Sequence, residues 1–393
     1  MSDNNSLFLK YKKRKRDYIN WDKETNLNNL NINKNTNTIH FLKTNPFFVY
    51  NSTIIHTNDG NLLNNKFETY LSKSDKKLYL ASPNHFNYQI YILNIKYNKI
   101  IKKLKGHTYF ITSIRYFINK NNKKEYLISS DGNKWVIIWD INNDFDKKLL
   151  INTRYKNSYI YSCLILFDVP NTYYLSSSNS NNSTNENDDN INSLVIVSCN
   201  SLLNFNGNSD CTNIYSLDNG AFLRSTYNVN TNCLLTWSNK FDEKEYIIEL
   251  CSEKILIYNI FDENAYYEVN DGLNYMSGFI ANKTEEVDYL FVNSIEKFIY
   301  IYNLNQKILV NSINVGGWSL YNIVQWNDQY ILAIDSYEKL LKIIDINQGK
   351  AITCYTNIHS IGITSIKKIV HPIYGESILT SGKDNKIKLW TLK

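Results

Sequence analysis

Short apolar runs that end in an aromatic or aliphatic residue, followed by a small polar one, recur along the chain at a nearly constant interval. Seven such endings lie at Leu93, Trp139, Tyr215, Tyr258, Tyr302, Ile344 and Trp390. Successive endings are 42 to 46 residues apart, except for one interval of 76 residues between the second and the third. A four-stranded unit repeated about every 40–45 residues has the period of a β-propeller blade. The sequence therefore predicts an all-β ring of seven blades.

The repeats also show the spacing of a β-hairpin. A tyrosine followed by an aliphatic residue opens an apolar run 12 to 14 residues before the ending in four repeats, at Tyr126, Tyr246, Tyr289 and Tyr330. Two apolar runs at that spacing, joined by a few turn residues, form a hairpin. The chain holds 31 Tyr and 17 Phe but very little Ala, which favours strands over helices. A helical bundle is therefore disfavoured.

Two segments depart from the repeat. Residues 1–38 are polar and rich in Asn and Lys, so we expect a disordered tail in front of a propeller domain of residues 39–393. Residues 176–192 form a low-complexity insert of Ser, Asn and acidic residues. We expect this insert to be a solvated loop in the third blade, where it explains much of the long interval.

The tail carries most of the net charge. The formal net charge is +6, and residues 1–16 contribute +5 of it. Because the remainder is nearly neutral, nucleic-acid binding by the propeller is not expected, although the tail could make such a contact. Five consecutive basic residues match the pattern of a nuclear-import signal, and a solubilising tail explains them equally well: Lys12, Lys13, Arg14, Lys15 and Arg16.

The predicted compartment is intracellular. The N-terminus lacks the apolar stretch of a secretory signal, and no run approaches the roughly 20 apolar residues of a membrane helix. Six cysteines are scattered without a Cys-x-x-Cys pair, as in free thiols of a reducing compartment. We expect no membrane contact, and nucleus and cytoplasm stay equally open.

Two of the repeats resemble WD40 repeats. One has Gly106-His107, then Ile-Thr-Ser-Ile from residue 111, then LISSDGNKWVIIWD over residues 127–140. The last repeat has His359, the same Ile-Thr-Ser-Ile from residue 363, and ILTSGKDNKIKLW over residues 378–390. The chain is similar to the WD40 family on these residues, and the resemblance implies a seven-bladed propeller that binds other proteins.

The resemblance also implies a buried hydrogen-bonded tetrad of His, Ser or Thr, Asp and Trp in each complete blade. The expected tetrads are His107, Ser129, Asn133 and Trp139, and His359, Thr380, Asp384 and Trp390. Asn133 stands where the family usually has Asp, which predicts a weaker tetrad without a charge. The middle repeats lack the His and the Trp, and tyrosines are expected to replace them by packing.

The last repeat ends after its third strand, so its fourth strand must come from elsewhere or leave an open edge. In the WD40 family, a segment near the N-terminus supplies that strand. Residues 47–57 (FFVYNSTIIHT) are the strongest candidate here, and residues 38–43 are a weaker one.

Enzyme activity is not expected. His107 and His359 sit at structural positions of the WD40 pattern, and the other histidines show no metal-ligand spacing. A phosphate-binding glycine loop and a serine nucleophile motif are also missing from the sequence. We therefore predict no catalytic residues, no bound metal and no cofactor.

A partner-binding face is expected where the loops between blades meet the loops between second and third strands. Aromatic and arginine side chains are common interface anchors. The candidates in these loops are Tyr109, Phe110, Arg154, Tyr275 and Trp318, each of which could instead pack over a blade end.

The prediction is thus a monomeric, non-catalytic scaffold or adaptor that binds protein partners or peptides within a multiprotein complex. One alternative is a nuclear subunit of an RNA-processing or ribosome-assembly complex that is tethered by its basic tail. A propeller-fold enzyme is the less favoured alternative.

Overall fold

The computed structural model describes residues 48–56, 67–84, 86–119, 121–153, 158–169, 192–201, 211–226, 230–260, 262–282, 287–316 and 320–392. Its strands form seven four-stranded antiparallel sheets, which confirms the predicted seven-bladed β-propeller. The predicted tail, residues 1–38, and most of the insert, residues 176–192, lie outside the described residues.

The strands follow one another in the order of the chain, apart from the first. Strand β1 (Phe48–His56) belongs to the last blade, which is described below. Blade 1 contains β2 (Glu68–Leu71), β3 (Leu78–Asn84), β4 (Gln89–Asn94) and β5 (Lys99–Leu104). Blade 2 contains β6 (Ile111–Ile118), β7 (Glu125–Asp131), β8 (Trp135–Asp140) and β9 (Asp146–Asn152). Blade 3 contains β10 (Ser158–Val169), β11 (Asn192–Ser201), β12 (Cys211–Ser216) and β13 (Phe222–Ser225).

The second half of the ring repeats this plan. Blade 4 contains β14 (Thr231–Ser238), β15 (Glu245–Cys251), β16 (Ile255–Asn259) and β17 (Asp262–Val269). Blade 5 contains β18 (Tyr275–Asn282), β19 (Asp288–Ser294), β20 (Phe298–Asn303) and β21 (Ile308–Asn314). Blade 6 contains β22 (Leu320–Gln325), β23 (Tyr330–Asp335), β24 (Leu340–Asp345) and β25 (Lys350–Tyr355). Blade 7 contains β26 (Ile363–His371), β27 (Gly375–Gly382) and β28 (Lys386–Leu392), with β1 as its fourth strand.

The small polar residue of the sequence repeat caps the turn that follows the third strand. The Asn303 side-chain oxygen accepts a hydrogen bond from the N–H of Gln306 at 2.9 Å, and Asp345 does the same for Gln348 at 3.0 Å. Asn and Asp favour turns because their side chains bond to the backbone two or three residues ahead. The last turn residue adopts the left-handed conformation at Asn98, Gly220, Lys307 and Gly349. The repeat therefore marks where each third strand must end.

The ring closes through its innermost strands. The first strand of each blade contacts the first strand of the next blade, and β26 contacts β2 to complete the circle. Each of the seven interfaces between blades encloses its own apolar cluster, built mainly from Ile, Leu, Val and Tyr. Because each blade is buried on both faces, its central strands are almost entirely buried and carry apolar side chains on both faces. A fully buried Ile or Leu contributes about 1.5–3 kcal/mol to such a core.

Strand β1 confirms the predicted closure of the last blade. It pairs antiparallel with β28, with Phe48 opposite Leu392 and Tyr50 opposite Trp390. The Phe48 ring packs edge-on against the Trp326 ring, with 4.9 Å between the ring centroids. The strand therefore also fastens blade 7 to blade 6. Within the described residues, no helix is long and apolar enough to cross a membrane.

Candidate functional site

The strand directions define two ends of the ring. Loops that connect second to third strands, and loops that connect one blade to the next, emerge on one end, which we call the upper face. Loops between first and second strands, and between third and fourth strands, emerge on the other end, the lower face. At the upper face, three segments of blades 1 and 2 are neighbours: residues 86–88, 105–110 and 132–134.

The predicted partner-face residues Tyr109 and Phe110 lie together in the loop that joins blade 1 to blade 2. Their ring centroids are 4.5 Å apart. Tyr109 also stacks on Tyr88, from the loop between β3 and β4, at 6.2 Å. Phe86 in that same loop is 75% exposed, and Tyr109 is 38% exposed. We call Phe86, Tyr88, Tyr109 and Phe110 the aromatic patch.

The backbone beneath the aromatic patch is held in place. The N–H of Gly132 donates to the carbonyl oxygen of Phe110 at 2.9 Å. A Cβ atom at Gly132 would lie 2.6 Å from Phe110 Cζ and 2.9 Å from Tyr109 Cδ1, so only glycine leaves room for both rings. In the neighbouring loop, the buried Asn84 side chain accepts a hydrogen bond from the N–H of Phe86 at 3.1 Å. The patch thus rests on ordered turns.

The other predicted partner-face residues do not join the aromatic patch. Tyr275 is fully buried, and its hydroxyl donates to the Asp271 carboxylate. The prediction that Tyr275 is a surface anchor was therefore wrong, because it is the first residue of β18 and points into the interface between blades 4 and 5. Arg154 and Trp318 lie outside the described residues, as does the basic run Lys12–Arg16.

Blade 2 contains a buried hydrogen-bonded chain. His107 Nδ1 lies 3.0 Å from Asp131 Oδ2, and its Nε2 lies 2.7 Å from Ser129 Oγ. The indole N–H of Trp139 donates to the same hydroxyl oxygen at 2.9 Å. Because a carboxylate only accepts, Nδ1 carries the proton and Nε2 accepts from Ser129. This chain ties the upper loop to the second and third strands.

The prediction that Asn133 belongs to the hydrogen-bonded tetrad of blade 2 was wrong. The carboxylate partner of His107 is Asp131, the last residue of β7, and the backbone N–H of Asn133 donates to Asp131 Oδ1 at 2.9 Å. Asn133 itself lies exposed in the following turn. The tetrad of blade 2 therefore contains a charged acceptor, contrary to the expectation of a weaker, uncharged one.

In blade 7, the buried hydrogen-bonded tetrad consists of His359, Thr380, Asp384 and Trp390. His359 lies 2.7 Å from Asp384 Oδ1 and 2.9 Å from Thr380 Oγ1, and Trp390 donates to Thr380 at 2.8 Å. The residue that matches Asp131 in the strand register is Gly382, where a Cβ would lie 2.4 Å from the His359 ring. The carboxylate consequently comes from the turn, two residues later than in blade 2.

Blade 5 fills the same place with different residues. Tyr302 occupies the Trp position on β20, and Asp271 lies four residues before the first strand, where blades 2 and 7 have His. Tyr302 and Tyr275 both donate to the Asp271 carboxylate, the former at 3.0 Å, and their hydroxyl oxygens are 2.7 Å apart. Burial raises the pKa of both hydroxyls, so both remain protonated donors.

Blade 4 uses a buried acid. Glu249 holds the strand position of Ser129, and Tyr258 holds that of Trp139. The Glu249 carboxyl accepts hydrogen bonds from Tyr258 at 2.5 Å and from Thr231 at 2.7 Å. Burial raises the pKa of Glu249 despite these hydrogen bonds. In blades 4 and 5, tyrosines thus replace Trp as expected, but through hydrogen bonds as well as packing. In blade 6, Ile344 stands at this position.

In blades 2, 4, 5 and 7, the buried polar side chains described above form hydrogen bonds to one another. In the described part of the chain, no group of three or more His, Cys, Asp or Glu side chains is arranged to hold a metal ion. The described cysteines are free thiols, and most are buried.

No protein-family profile and no curated protein sequence matches this chain. Solved structures share its fold. A crystal structure of BBS1N in complex with ARL6DN, soaked with mercury, matches with a TM-score of 0.61 at 9% identity, over 88% of this chain and 97% of that chain. The same complex soaked with lead matches with a TM-score of 0.60 at 8% identity over the same shares. At this identity the likeness shows the propeller fold alone.

Sequence reasoning missed Phe86, Tyr88 and Asp131. Phe86 and Tyr88 follow the apolar run of β3 within one short turn, as Gly132 and Asn133 follow β7. Aligning the two turns by register would have placed both rings on the upper face. Asp131 directly follows a Ser-Ser pair in a strand, so counting along β7 instead of back from Trp139 would have found it.

Proposed function

We propose that this chain is a non-catalytic scaffold of the WD40 type that docks a partner protein on its upper face. The observation that carries the proposal is the aromatic patch, in which rings from two adjacent loops are partly exposed on an ordered base. The two His–Trp tetrads of blades 2 and 7 support assignment to the WD40 type.

The patch suits a protein partner for a physical reason. Tyrosine and phenylalanine offer large contact areas with few rotatable bonds, so little conformational entropy is lost on binding. A patch of this composition fits an apolar or aromatic side chain inserted by the partner, with the tyrosine hydroxyls at its rim. We expect a few of these rings to supply most of the binding free energy.

The solved neighbours add support of a general kind. The matching crystal structures are of BBS1N in complex with ARL6DN, so a propeller of this fold can serve as a binding partner. We also propose that the chain is not an enzyme and that it is intracellular, in the nucleus or the cytoplasm. The alternative is a nuclear subunit of an RNA-processing or ribosome-assembly complex that is tethered by its basic tail.

The test is a pull-down with the full chain followed by quantitative mass spectrometry and binding measurements on the purified partner. Two variants, Phe86→Ser and Tyr109→Ser, remove rings that are exposed, so their melting temperatures should change little. We expect each variant to raise the Kd of the partner at least about tenfold, the effect of losing a hot-spot aromatic side chain.

A matched control is Phe241→Ser, which removes a ring that is 65% exposed in the lower-face loop between β14 and β15. Its partner recovery should equal that of the unmodified chain. The proposal fails if the patch variants retain full recovery, or if Phe241→Ser lowers recovery to the same extent.

A further inference from the structure

A basic cleft opens on the lower face between blades 1 and 2, opposite to the aromatic patch. Its volume is about 740 Å³, and residues from the loop that follows β2 (73–76) and from the loop that precedes β7 (122–124) form its walls. Four lysines line it: Lys73, Lys76, Lys123 and Lys124. We call this site the lysine cleft.

The acidic groups around the lysine cleft are already engaged. Glu125, at its base, is fully buried and accepts hydrogen bonds from the N–H groups of Lys73 at 2.8 Å and Ser74 at 3.2 Å. It also accepts one from the Tyr116 hydroxyl at 2.7 Å. Although burial opposes ionisation, these hydrogen bonds lower the pKa of Glu125 below its ordinary value. Glu125 is thus a carboxylate that fastens the loop of blade 1 to blade 2.

Asp75 is likewise engaged at the rim. Its carboxylate accepts a hydrogen bond from the Tyr79 hydroxyl at 2.5 Å and pairs with Lys77 at 3.3 Å. The lining therefore contains four lysines and one buried carboxylate, and its formal charge is positive. A cleft lined by an excess of one sign of charge attracts a segment of the opposite charge.

The lysines are not a requirement of the turns that carry them. Lys76 and Lys123 both adopt the left-handed conformation at the fifth position of their loops, with φ of 58° and 60°. The corresponding loop of blade 4 places Glu243 at that position with φ of 55°. The turn accepts either sign of charge, so its geometry does not explain why blades 1 and 2 both present lysine.

We propose that the lysine cleft binds an Asp- or Glu-rich segment of a partner protein. Lysine ammonium groups are mobile point charges that suit several carboxylates on a flexible chain, whereas phosphate is matched better by the arginine fork. The nine described residues that line the cleft include no arginine and no aromatic ring. Nucleic acid is less suited to it, because single strands bind largely through base stacking on aromatic rings.

Two further lining groups fit a peptide. The side-chain oxygens of Asn122 and Asn142 accept hydrogen bonds from the N–H groups of Lys124 at 2.9 Å and Glu125 at 2.6 Å. Their amide NH2 groups lie in the lining and can donate to the carbonyl groups of a peptide backbone. Ile118 and the lysine methylene stems supply apolar surface between the charged heads. The site is separate from the aromatic patch, so the propeller would hold partner segments at both ends.

The experiment measures binding of fluorescein-labelled decaglutamate to the full chain by fluorescence anisotropy. The test variant is Lys76→Glu with Lys124→Glu. The matched control is Lys99→Glu with Lys350→Glu, which makes the same change in net charge on the outer strands β5 and β25. We expect the test variant to raise the Kd at least about tenfold and the control to change it less than about twofold.

Salt provides a second measurement on the same proteins. Raising NaCl from about 50 mM to about 500 mM shortens the screening length to a few ångströms and should abolish binding to the unmodified chain. Phe86→Ser should bind decaglutamate normally, which separates this proposal from the proposed upper-face function.

Three outcomes would overturn the proposal. One is no measurable decaglutamate binding at low salt by the unmodified chain. Another is equal weakening in the test variant and the control, because net charge alone would then explain binding. The third is tighter, cleft-dependent binding of a single-stranded oligouridine than of decaglutamate, which would assign the site to nucleic acid.

Discussion

Blades 2 and 7 differ from blades 4 and 5 in residue chemistry but not in the place where that chemistry acts. In blades 2 and 7, a histidine in the upper loop binds a hydroxyl on the second strand, and a tryptophan on the third strand donates to that hydroxyl. In blade 5, Tyr302 stands at the tryptophan position and Asp271 at the histidine position. In blade 4, Glu249 and Tyr258 meet directly.

Blade 6 has a further set of buried polar residues at the corresponding place. The buried Lys342 ammonium donates to the carbonyl oxygen of Gly316 at 2.7 Å and lies 3.5 Å from the Asp335 carboxylate. Asp335 ends its second strand as Asp131 does in blade 2. Blades 2, 5, 6 and 7 thus share a buried polar bridge between the upper loop and the central strands, which pairs polar groups that are buried there. Residue identity at each point is free to vary.

The largest expected effect concerns blade 7, which has a complete tetrad but borrows its fourth strand. Deleting residues 39–57 should abolish stable folding, because β28 then presents an open edge and Phe48 no longer packs on Trp326. Deleting residues 1–36 should leave the melting temperature unchanged. Equal melting temperatures for the two truncations would show that the tetrad alone can hold the blade.

The next largest effect is the difference in stability between substitutions at two nearby residues of blade 2, Asp131 and Asn133. Asp131→Ala leaves the His107 imidazole and the N–H groups of Asn133 and Trp135 without their acceptor. We expect a loss of about 2–3 kcal/mol in the free energy of unfolding, measured by urea denaturation. Asn133→Ala should change it by less than about 0.5 kcal/mol. Similar losses in both variants would contradict the assignment of Asp131.

The smallest expected effects are the pH-dependent contributions of two carboxyl groups to stability, and they have opposite signs in blade 7 (Asp384) and blade 4 (Glu249). Burial opposes ionisation of Asp384, but the hydrogen bond and charge of His359 lower the pKa of its carboxyl from 3.8 to about 2. Its stabilising contribution is therefore complete above pH 3.8 and is lost as the pH falls through 2. Burial raises the pKa of Glu249 above 4.5, so its contribution is largest at low pH and declines as the pH rises above 4.5.

Amide substitutions test these signs. Asp384→Asn should lower the free energy of unfolding by about 1–2 kcal/mol at neutral pH, with the difference shrinking as the pH approaches 2. Glu249→Gln should raise it by up to about 1 kcal/mol at neutral pH, with the gain vanishing below pH 4.5. Guanidinium denaturation across this pH range measures both, and the same sign in both variants would contradict the comparison.

Much of the fold was predictable because it depends on spacing along the chain. The repeat of apolar endings predicted the number of blades, and the missing fourth strand of the last repeat predicted the role of residues 47–57. The four residues predicted for the hydrogen-bonded tetrad of blade 7 were also correctly identified. Tyr275 and Asn133 were misassigned because their roles depend on strand register and on which way a side chain points at a turn.

The sequence by itself determined the architecture, because alternation of apolar runs and turn residues is a local property that repeats with the blade. It also located the loop that carries Tyr109 and Phe110. Only the tertiary structure decided that Tyr88 stacks on Tyr109 and that residues 73–76 and 122–124 line one cleft, since these residues are brought together by the packing of adjacent blades. Such contacts leave no periodic signal in the chain.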